Sequence, residues 1–284
     1  MIELQQVTKT YGKKQNVFTA LHDITLAIPD GASVAILGKS GSGKSTLMHA
    51  MSGLDRPQKG RVFVGGRNIL KLKPRQVDRF RANEIGFIFQ SFFVEGNDSV
   101  FDNVSLPLEI AHVPYGERAG KIDAALRAVD LYEKRKSRAR DLSGGQKQRL
   151  AIARAIVNEP QIIFADEPTG NLDKQTANEV MQTLFNYIKA NDAALVLVTH
   201  DNELAQRCDE VYRLEDKKLS FFSYSAIISL SKLTSRNGDN KIKFLAFSKL
   251  LSLISKASAK ANPPPAESPI ILIFSAFVSC KTVL

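Results

Sequence analysis

The sequence predicts an α/β protein: a mixed, largely parallel core sheet carrying an antiparallel β portion and an α-helical portion. Three observations support that expectation. Short apolar runs, namely Ser33-Val34-Ala35-Ile36-Leu37, Ile162 to Ala165 and Ala194 to Val198, read as strands buried on both faces. In the second half, segments with helical spacing separate those runs, the alternation produced when crossover helices join parallel strands. Near the start, Ile2 to Val7 and Leu21 to Ile28 alternate apolar and polar residues, as antiparallel strands with one buried face do.

The elements come in order along the chain. The Ser33 to Leu37 strand ends at Gly38 and feeds a glycine-rich turn, after which Lys44 to about Ser52 reads as a helix ended by Gly53. Gly60 to Val64 returns as a strand, and Ile85 to Phe89 forms another that delivers Gln90. Between Gln90 and Leu142 the segments Asp102 to Ala111 and Glu117 to Leu131 keep helical spacing with no convincing strand between them. With the helix Gln146 to Val157, they make residues 91–157 the expected helical subdomain. Lys174 to Lys189 is the last long helix. In such an arrangement a ligand is expected at the carboxyl ends of the parallel strands.

Composition is that of a globular chain: 284 residues, 44% hydrophobic and 24% charged, enough for a sizeable core. A net charge of +10 would suit nucleic acid or an acidic membrane if it were spread through the body. Instead, residues 221–284 carry eight Lys/Arg against two Asp/Glu, so residues 1–220 are close to balanced and no nucleic-acid partner is expected. Cys208 and Cys280 lack disulfide or zinc spacing, which fits a reducing compartment. Met1 to Gly12 has neither the basic start nor the apolar run of a signal peptide, and no run of about 18 apolar residues suits a spanning helix.

The domain expected is 1–220, followed by an atypical tail, 221–284, with twelve serines and the Pro263-Pro264-Pro265 run. Phe244, Phe247, Leu251 and Ile254 share a helical face beside Lys243, Lys249 and Lys256, which would suit an anionic membrane surface. The reading preferred is plainer: a disordered extension, or sequence translated past a frameshift and never selected to fold.

Gly38-Lys39-Ser40-Gly41-Ser42-Gly43-Lys44-Ser45 is the phosphate-loop pattern, set between a buried strand and a helix and followed by Thr46. Such glycines let backbone N–H groups form a nest for phosphate oxygens, and the helix N-terminus adds its positive end. Lys44 is expected to reach the β- and γ-phosphates and Ser45 to hold Mg²⁺. A flexible linker would not keep lysine and serine at this offset. The strand Ile162 to Ala165 delivers Asp166 and Glu167, the first suited to orienting Mg²⁺ and the second to acting as general base on water.

Many NTPases share those two motifs. Leu142-Ser143-Gly144-Gly145-Gln146, followed by Lys147-Gln148-Arg149-Leu150-Ala151-Ile152-Ala153-Arg154-Ala155, resembles the signature sequence of the ABC transporter ATPases. Supporting motifs occur in the family's order across residues 1–219. The resemblance implies a P-loop NTPase of ABC type in which Tyr11 stacks on adenine, Gln90 senses metal and water, His200 is the switch histidine and Asp173 contacts the opposite subunit. Singly, Tyr11 reads equally as an edge aromatic, Gln90 as an exposed amide and His200 as a helix-capping neighbour; their joint order carries the assignment.

The same resemblance implies an ATP-hydrolysing, Mg²⁺-dependent subunit whose Ser143 meets nucleotide bound by a second copy, head to tail. A transmembrane permease is the implied second partner, which would place the chain peripherally on the cytoplasmic membrane face. Glu167-Pro168-Thr169-Gly170-Asn171-Leu172-Asp173 and Ile85-Gly86-Phe87-Ile88-Phe89-Gln90-Ser91-Phe92 are similar to exporters of the lipoprotein-release and macrolide-efflux type. Phe93 to Val100 departs from the hydrophobic pattern expected there, on the segment that faces the permease in that family. An ATP-dependent signalling module of cell-division type would carry the same motifs. The coiled coils of DNA-repair relatives are excluded, because only 53 positions separate Gln90 from Ser143.

Overall fold

The computed structural model describes residues 1–13 and 16–222, so the expectations for the tail from residue 223 onward lie outside the described residues. Two sheets organise this unit. The first is antiparallel, in the order β2-β1-β4-β5, from β1 (Ile2–Tyr11), β2 (Phe18–Ile28), β4 (Lys59–Val64) and β5 (Arg67–Asn68). The second has six strands in the order β10-β9-β3-β8-β7-β6. Its members are β3 (Ser33–Leu37), β6 (Ile85–Phe89), β7 (Ile162–Asp166), β8 (Ala194–Thr199), β9 (Glu210–Glu215) and β10 (Lys218–Phe221). β9, β3, β8, β7 and β6 run parallel, and only β10 pairs antiparallel.

Every residue of β3 and β8 is buried, which explains why these segments are apolar without alternation. β1 is longer than its sequence suggested. Gln6 adopts φ 52° and the register with β2 shifts between Leu4 and Val7, a bulge that breaks the alternation.

Helix α1 (Lys44–Met51) contacts β1, β2 and β4 of one sheet and β7 and β8 of the other. Its Leu47, Met48 and Met51 are fully buried in the core shared by both sheets. Burying each is worth about 1.5–3 kcal/mol, so the helix that begins at the phosphate loop is firmly seated.

Helix α2 (Pro74–Glu84), absent from the sequence reading, precedes β6 and buries only Val77 and Phe80. Between β6 and β7 the regular elements are helical: α3 (Val100–Ile110), α4 (Tyr115–Ala128), α5 (Gly144–Ile156) and two short 3₁₀ turns. Ser99 caps α3 by accepting from Asp102 N at 3.0 Å. Helix α6 (Lys174–Asn191) and the single-turn α7 (Asn202–Ala205) complete the unit. No helix among the described residues is long and apolar enough to cross a membrane.

Candidate functional site

The loop from Gly38 to Gly43 leaves the buried end of β3 and enters α1. Gly43 sits at φ 103° as the N-cap, and an added Cβ would lie 2.8 Å from the Ala20 carbonyl oxygen, so only glycine fits. At Gly38 a Cβ would meet Ser42 Oγ at 2.6 Å and Leu214 O at 2.7 Å. The loop turns tightly, with Ser42 N donating to Lys39 O at 3.1 Å. Lys44 is buried and donates from Nζ to Gly38 O at 2.8 Å and Lys39 O at 3.1 Å.

Three features of this loop suit an anionic ligand. The first turn of α1 contains no acidic residue, so the helix's positive end is not neutralised locally. Ser42 Oγ is buried without a hydrogen-bond partner among the described residues, an orphan donor of the kind a ligand satisfies. Lys39, Ser40, Gly41 and Ser45 are exposed around it, with Thr46 half-buried behind.

Sheet register brings the next group together. Leu37 pairs with Thr199, Asp166 with Val198, and Phe89 with Asp166. The residues one step further, Gly38, His200, Glu167 and Gln90, therefore line one carboxyl-terminal edge, where a ligand of a parallel sheet is expected. Glu167 takes φ 47°, a left-handed conformation that a β-carbon disfavours, and it is fixed there by Glu167 N donating to Val198 O at 2.8 Å.

Its carboxylate is held by the neighbouring strand. Glu167 Oε2 lies 2.8 Å from His200 Nδ1 and accepts from His200 N at 3.3 Å and Thr199 Oγ1 at 3.4 Å. Its Oε1 is 3.9 Å from Lys44 Nζ. The Glu167 side chain is 17% exposed and that of His200 74%, so the acid is sheltered while the imidazole faces outward. Gln90 packs on the following turn: a Cβ on Gly170 would meet its Nε2 at 2.7 Å, and Asn171 Nδ2 donates to Gln90 O at 2.9 Å. Ser45, Gln90 and Asp166 offer a hydroxyl, an amide oxygen and a carboxylate, an all-oxygen donor set suited to a hard divalent cation.

Tyr11 ends β1 next to this loop. Its phenol donates to Asp55 Oδ2 at 2.6 Å, while Phe18 lies against its ring at 5.5 Å between centroids. Asp55 Oδ1 in turn accepts from buried Lys9 Nζ at 2.6 Å. Burial, then the bond to the Asp55 carboxylate, raises the Tyr11 phenol above its ordinary pKa. Burial pushes the Asp55 carboxyl up, but the bonds from Lys9 and Tyr11 and the Lys9 charge outweigh it and hold the group below the usual carboxylate range.

The signature segment lies on a different part of the chain. Leu142 is buried, and Ser143 caps α5 reciprocally with Gln146: Gln146 N donates to Ser143 Oγ at 3.3 Å and Ser143 N to Gln146 Oε1 at 3.1 Å. Accepting through Oγ leaves the hydroxyl proton free to donate elsewhere. Gly144 faces Leu172, and a Cβ on Gly145 would strike Thr176 of α6, so α5 approaches α6 closely here. Asp173 caps α6 by accepting from Thr176 N at 3.0 Å, and the Thr176 side chain, then that backbone bond, lower its carboxyl pKa. Signature and Asp173 thus share one surface.

Sequence reading overlooked Lys9, Asp55, Thr199 and Asn171. Only Thr199 carried a signal, as the polar end of an otherwise apolar strand beside His200; the other three gain meaning from contacts 46, 44 and 81 residues away in sequence. The Phe93 to Val100 segment is likewise pinned by distant groups. Asn103, fully buried, accepts from Glu95 N at 2.8 Å and donates to Glu95 O at 3.0 Å, and the Arg154 guanidinium of α5 donates to Phe93 O.

A glycine-rich loop between a buried parallel strand and a helix, facing acids at the neighbouring strand ends, defines a P-loop NTPase fold. The family described as ABC transporter matches residues 21–170, and the chain belongs to that family. It is 38% identical over 219 residues to the lipoprotein-releasing system ATP-binding protein LolD of Geobacter metallireducens, covering 77% of this chain and 97% of that protein. It is 39% identical over 219 residues to the macrolide export ATP-binding/permease protein MacB of Hyphomonas neptunium, covering 77% of this chain and 34% of that one. The methionine import ATP-binding protein MetN of Geobacillus kaustophilus is 39% identical over 220 residues, covering 77% and 64%. Among solved structures, the dimeric post-hydrolysis state of the ATP-binding cassette MJ0796 bound to ADP and Pi aligns with TM-score 0.71 and 35% identity, over 78% of this chain and 97% of that one.

Proposed function

We propose that residues 1–220 form an ATP-driven motor that works as a head-to-tail pair and powers a separate membrane permease from the cytoplasmic face. One observation carries this reading. The signature lies beside Asp173 on a surface built by α5 and α6, while the phosphate loop opens where β3 meets α1, so each chain offers two unlike half-sites. Pairing head to tail apposes the Ser143 hydroxyl of one copy to the phosphates held by its mate. The related cassette described as dimeric with ADP and Pi supports this arrangement.

Within each site the chain's residues divide the work. The phosphate-loop N–H groups and Lys44 bind the triphosphate and neutralise charge, which is the main protein contribution to phosphoryl transfer. Tyr11 provides the flat surface for adenine. Ser45, Gln90 and Asp166 are the groups that would hold Mg²⁺, whose chemistry when bound is to neutralise the phosphate oxygens. Glu167, sheltered and oriented by Thr199 and His200, accepts the proton of the attacking water. The side chain of His200 is 74% exposed, which leaves its other ring nitrogen accessible to the terminal phosphate of a bound nucleotide.

Arg154 supports mechanical coupling: it lies on the signature helix and holds the carbonyl of Phe93, three residues past Gln90. A shift of α5 on dimer closure is thereby passed to the segment that meets the permease. The cargo proposed is a lipoprotein, peptide or drug-like molecule moving outward, on the strength of the Glu167 to Asp173 and Ile85 to Phe92 motifs. Overall identity does not choose direction, being 39% to both the macrolide export and the methionine import protein.

The test is Glu167→Gln with saturating Mg²⁺ and ATP, followed by light scattering. A stable dimer with trapped nucleotide supports the proposal, and a preparation that stays monomeric beside its permease refutes it. Cargo and direction are read from vesicles containing both proteins; ATP use with no movement of any candidate would favour signalling instead.

A further inference from the structure

We infer that Lys9 and Asp55 are positioning residues that lock Tyr11 in place before nucleotide arrives, making base platform and phosphate loop one rigid unit. The inference rests on the reading of Tyr11 as the adenine platform and adds what holds it there.

An aromatic ring at the end of a strand is ordinarily free to change rotamer. Tyr11 is not. Its phenol donates to Asp55 Oδ2 at 2.6 Å, and Lys9 Nζ sits 4.7 Å from the ring centroid, within cation–π range. The same Nζ donates to Asp55 Oδ1 at 2.6 Å and to Arg56 O at 2.9 Å, so one ammonium satisfies the carboxylate, a backbone carbonyl and a ring face. The Lys9 side chain is 7% exposed and that of Asp55 29%, a pair sheltered enough that solvent does not dissolve it.

The second link runs to the phosphate loop. Thr46, next to Ser45 in the first turn of α1, is near enough to the Tyr11 phenol for its side chain to offset part of the upward pKa shift. Asp55 lies just beyond the end of the same helix, and its N–H donates to His49 O at 3.1 Å. Tyr11 is therefore tied through Asp55 to the far end of α1, with Thr46 of the first turn close to its phenol. Ring and loop keep a fixed separation, and the ordering that binding would otherwise require is done in advance.

The chemistry predicts a selective defect. Loosening Tyr11 should weaken recognition of the base and leave recognition of the phosphates untouched. We would measure, on the full chain, the affinities of Mg-ATP and of magnesium triphosphate, which lacks the base, for Asp55→Ala, Asp55→Asn, Tyr11→Phe and Tyr11→Ala. Asp55→Ala and Tyr11→Phe are expected to bind ATP about threefold to tenfold more weakly, the factor for one side chain ordered on binding. Triphosphate affinity stays at the wild-type value, and Asp55→Asn, which keeps an acceptor for the phenol, recovers part of the loss.

In a Tyr11→Ala background, adding Asp55→Ala should cost nothing further in ATP affinity. Should Asp55→Ala fail to fold with Lys9 left unpaired, Tyr11→Phe, which keeps the ring and removes only the anchor, decides alone. Wild-type ATP affinity in Tyr11→Phe, or equal losses for ATP and triphosphate, would overturn the inference while leaving the platform reading intact. If Tyr11→Ala does not change the ratio of the two affinities, the platform reading itself fails.

Discussion

Gly43→Ala is the perturbation whose consequence can be worked most fully from the fold. Gly43 has φ 103° and ψ 11°, a region that costs a residue with a β-carbon about 1–3 kcal/mol. The new methyl would lie 2.8 Å from the Ala20 carbonyl oxygen, a backbone atom of β2 that cannot rotate away. Relief requires the first turn of α1 to move against two sheets, an overpacking cost of about 1–3 kcal/mol more, and the sum is about 2–6 kcal/mol. For a domain of this size each kcal/mol shifts Tm by about 2–4 °C, so the thermal midpoint followed by circular dichroism should fall by at least roughly 4 °C and by up to roughly 24 °C. Displacing the loop should also weaken Mg-ATP binding by at least about tenfold in titration calorimetry. Gly120→Ala is the control: its Cβ meets nothing within 4 Å, and at this exposed position of α4 alanine should raise stability by about 0.5–1 kcal/mol. Equal melting of Gly43→Ala and wild type, with equal affinity, would refute the claim that this loop is sterically committed.

Further outcomes can be checked directly. Glu167→Gln should retain ATP binding and lose steady-state phosphate release by about a hundredfold or more, the usual weight of a general base; undiminished release removes Glu167 from that role. Asn103→Ala strips the partners of Glu95 N and O inside the core and should cost about 2–4 kcal/mol in denaturant unfolding. Because Asp55 has a lowered carboxyl pKa in the fold, its stabilisation is complete above the unfolded value near 4 and is lost as pH falls below it. Asp55→Asn should therefore flatten the dependence of stability on pH in that acid range and leave it unchanged above pH ~6. Burial raises the Cys208 thiol to about 12, so in a Cys280→Ser background iodoacetamide should label the chain only on unfolding, as read by mass spectrometry.

The parts visible in the sequence were those whose physics is local. β3, β7 and β8 are buried on both faces and so are apolar except for Ser33, Asp166 and Thr199 at their ends, and the phosphate loop and signature each act through consecutive residues. Elements that depend on distant partners were not visible. α2 buries only Val77 and Phe80 among eleven residues, too little for a helical stripe to stand out. β9 buries only Val211 and Leu214, a spacing of three that does not read as a strand. It is a strand because β3 offers it a parallel edge and Asp209 is pinned to Ser33, with Ser33 Oγ donating to Asp209 Oδ2 at 2.6 Å. The Lys9, Asp55 and Tyr11 contacts belong to the same class: each residue is commonplace until β1 returns beside the end of α1.

The central claim is that each active site is assembled from two chains, and mixing two disabled variants tests it most directly. Lys44→Ala removes the phosphate-loop lysine and keeps an intact signature; Ser143→Arg blocks the signature and keeps an intact phosphate loop. Each alone should be inactive, and the mixture should regain phosphate release because one composite site is whole. A mixture as inactive as its components, with both variants folded and the nucleotide still bound by Ser143→Arg, would contradict the account.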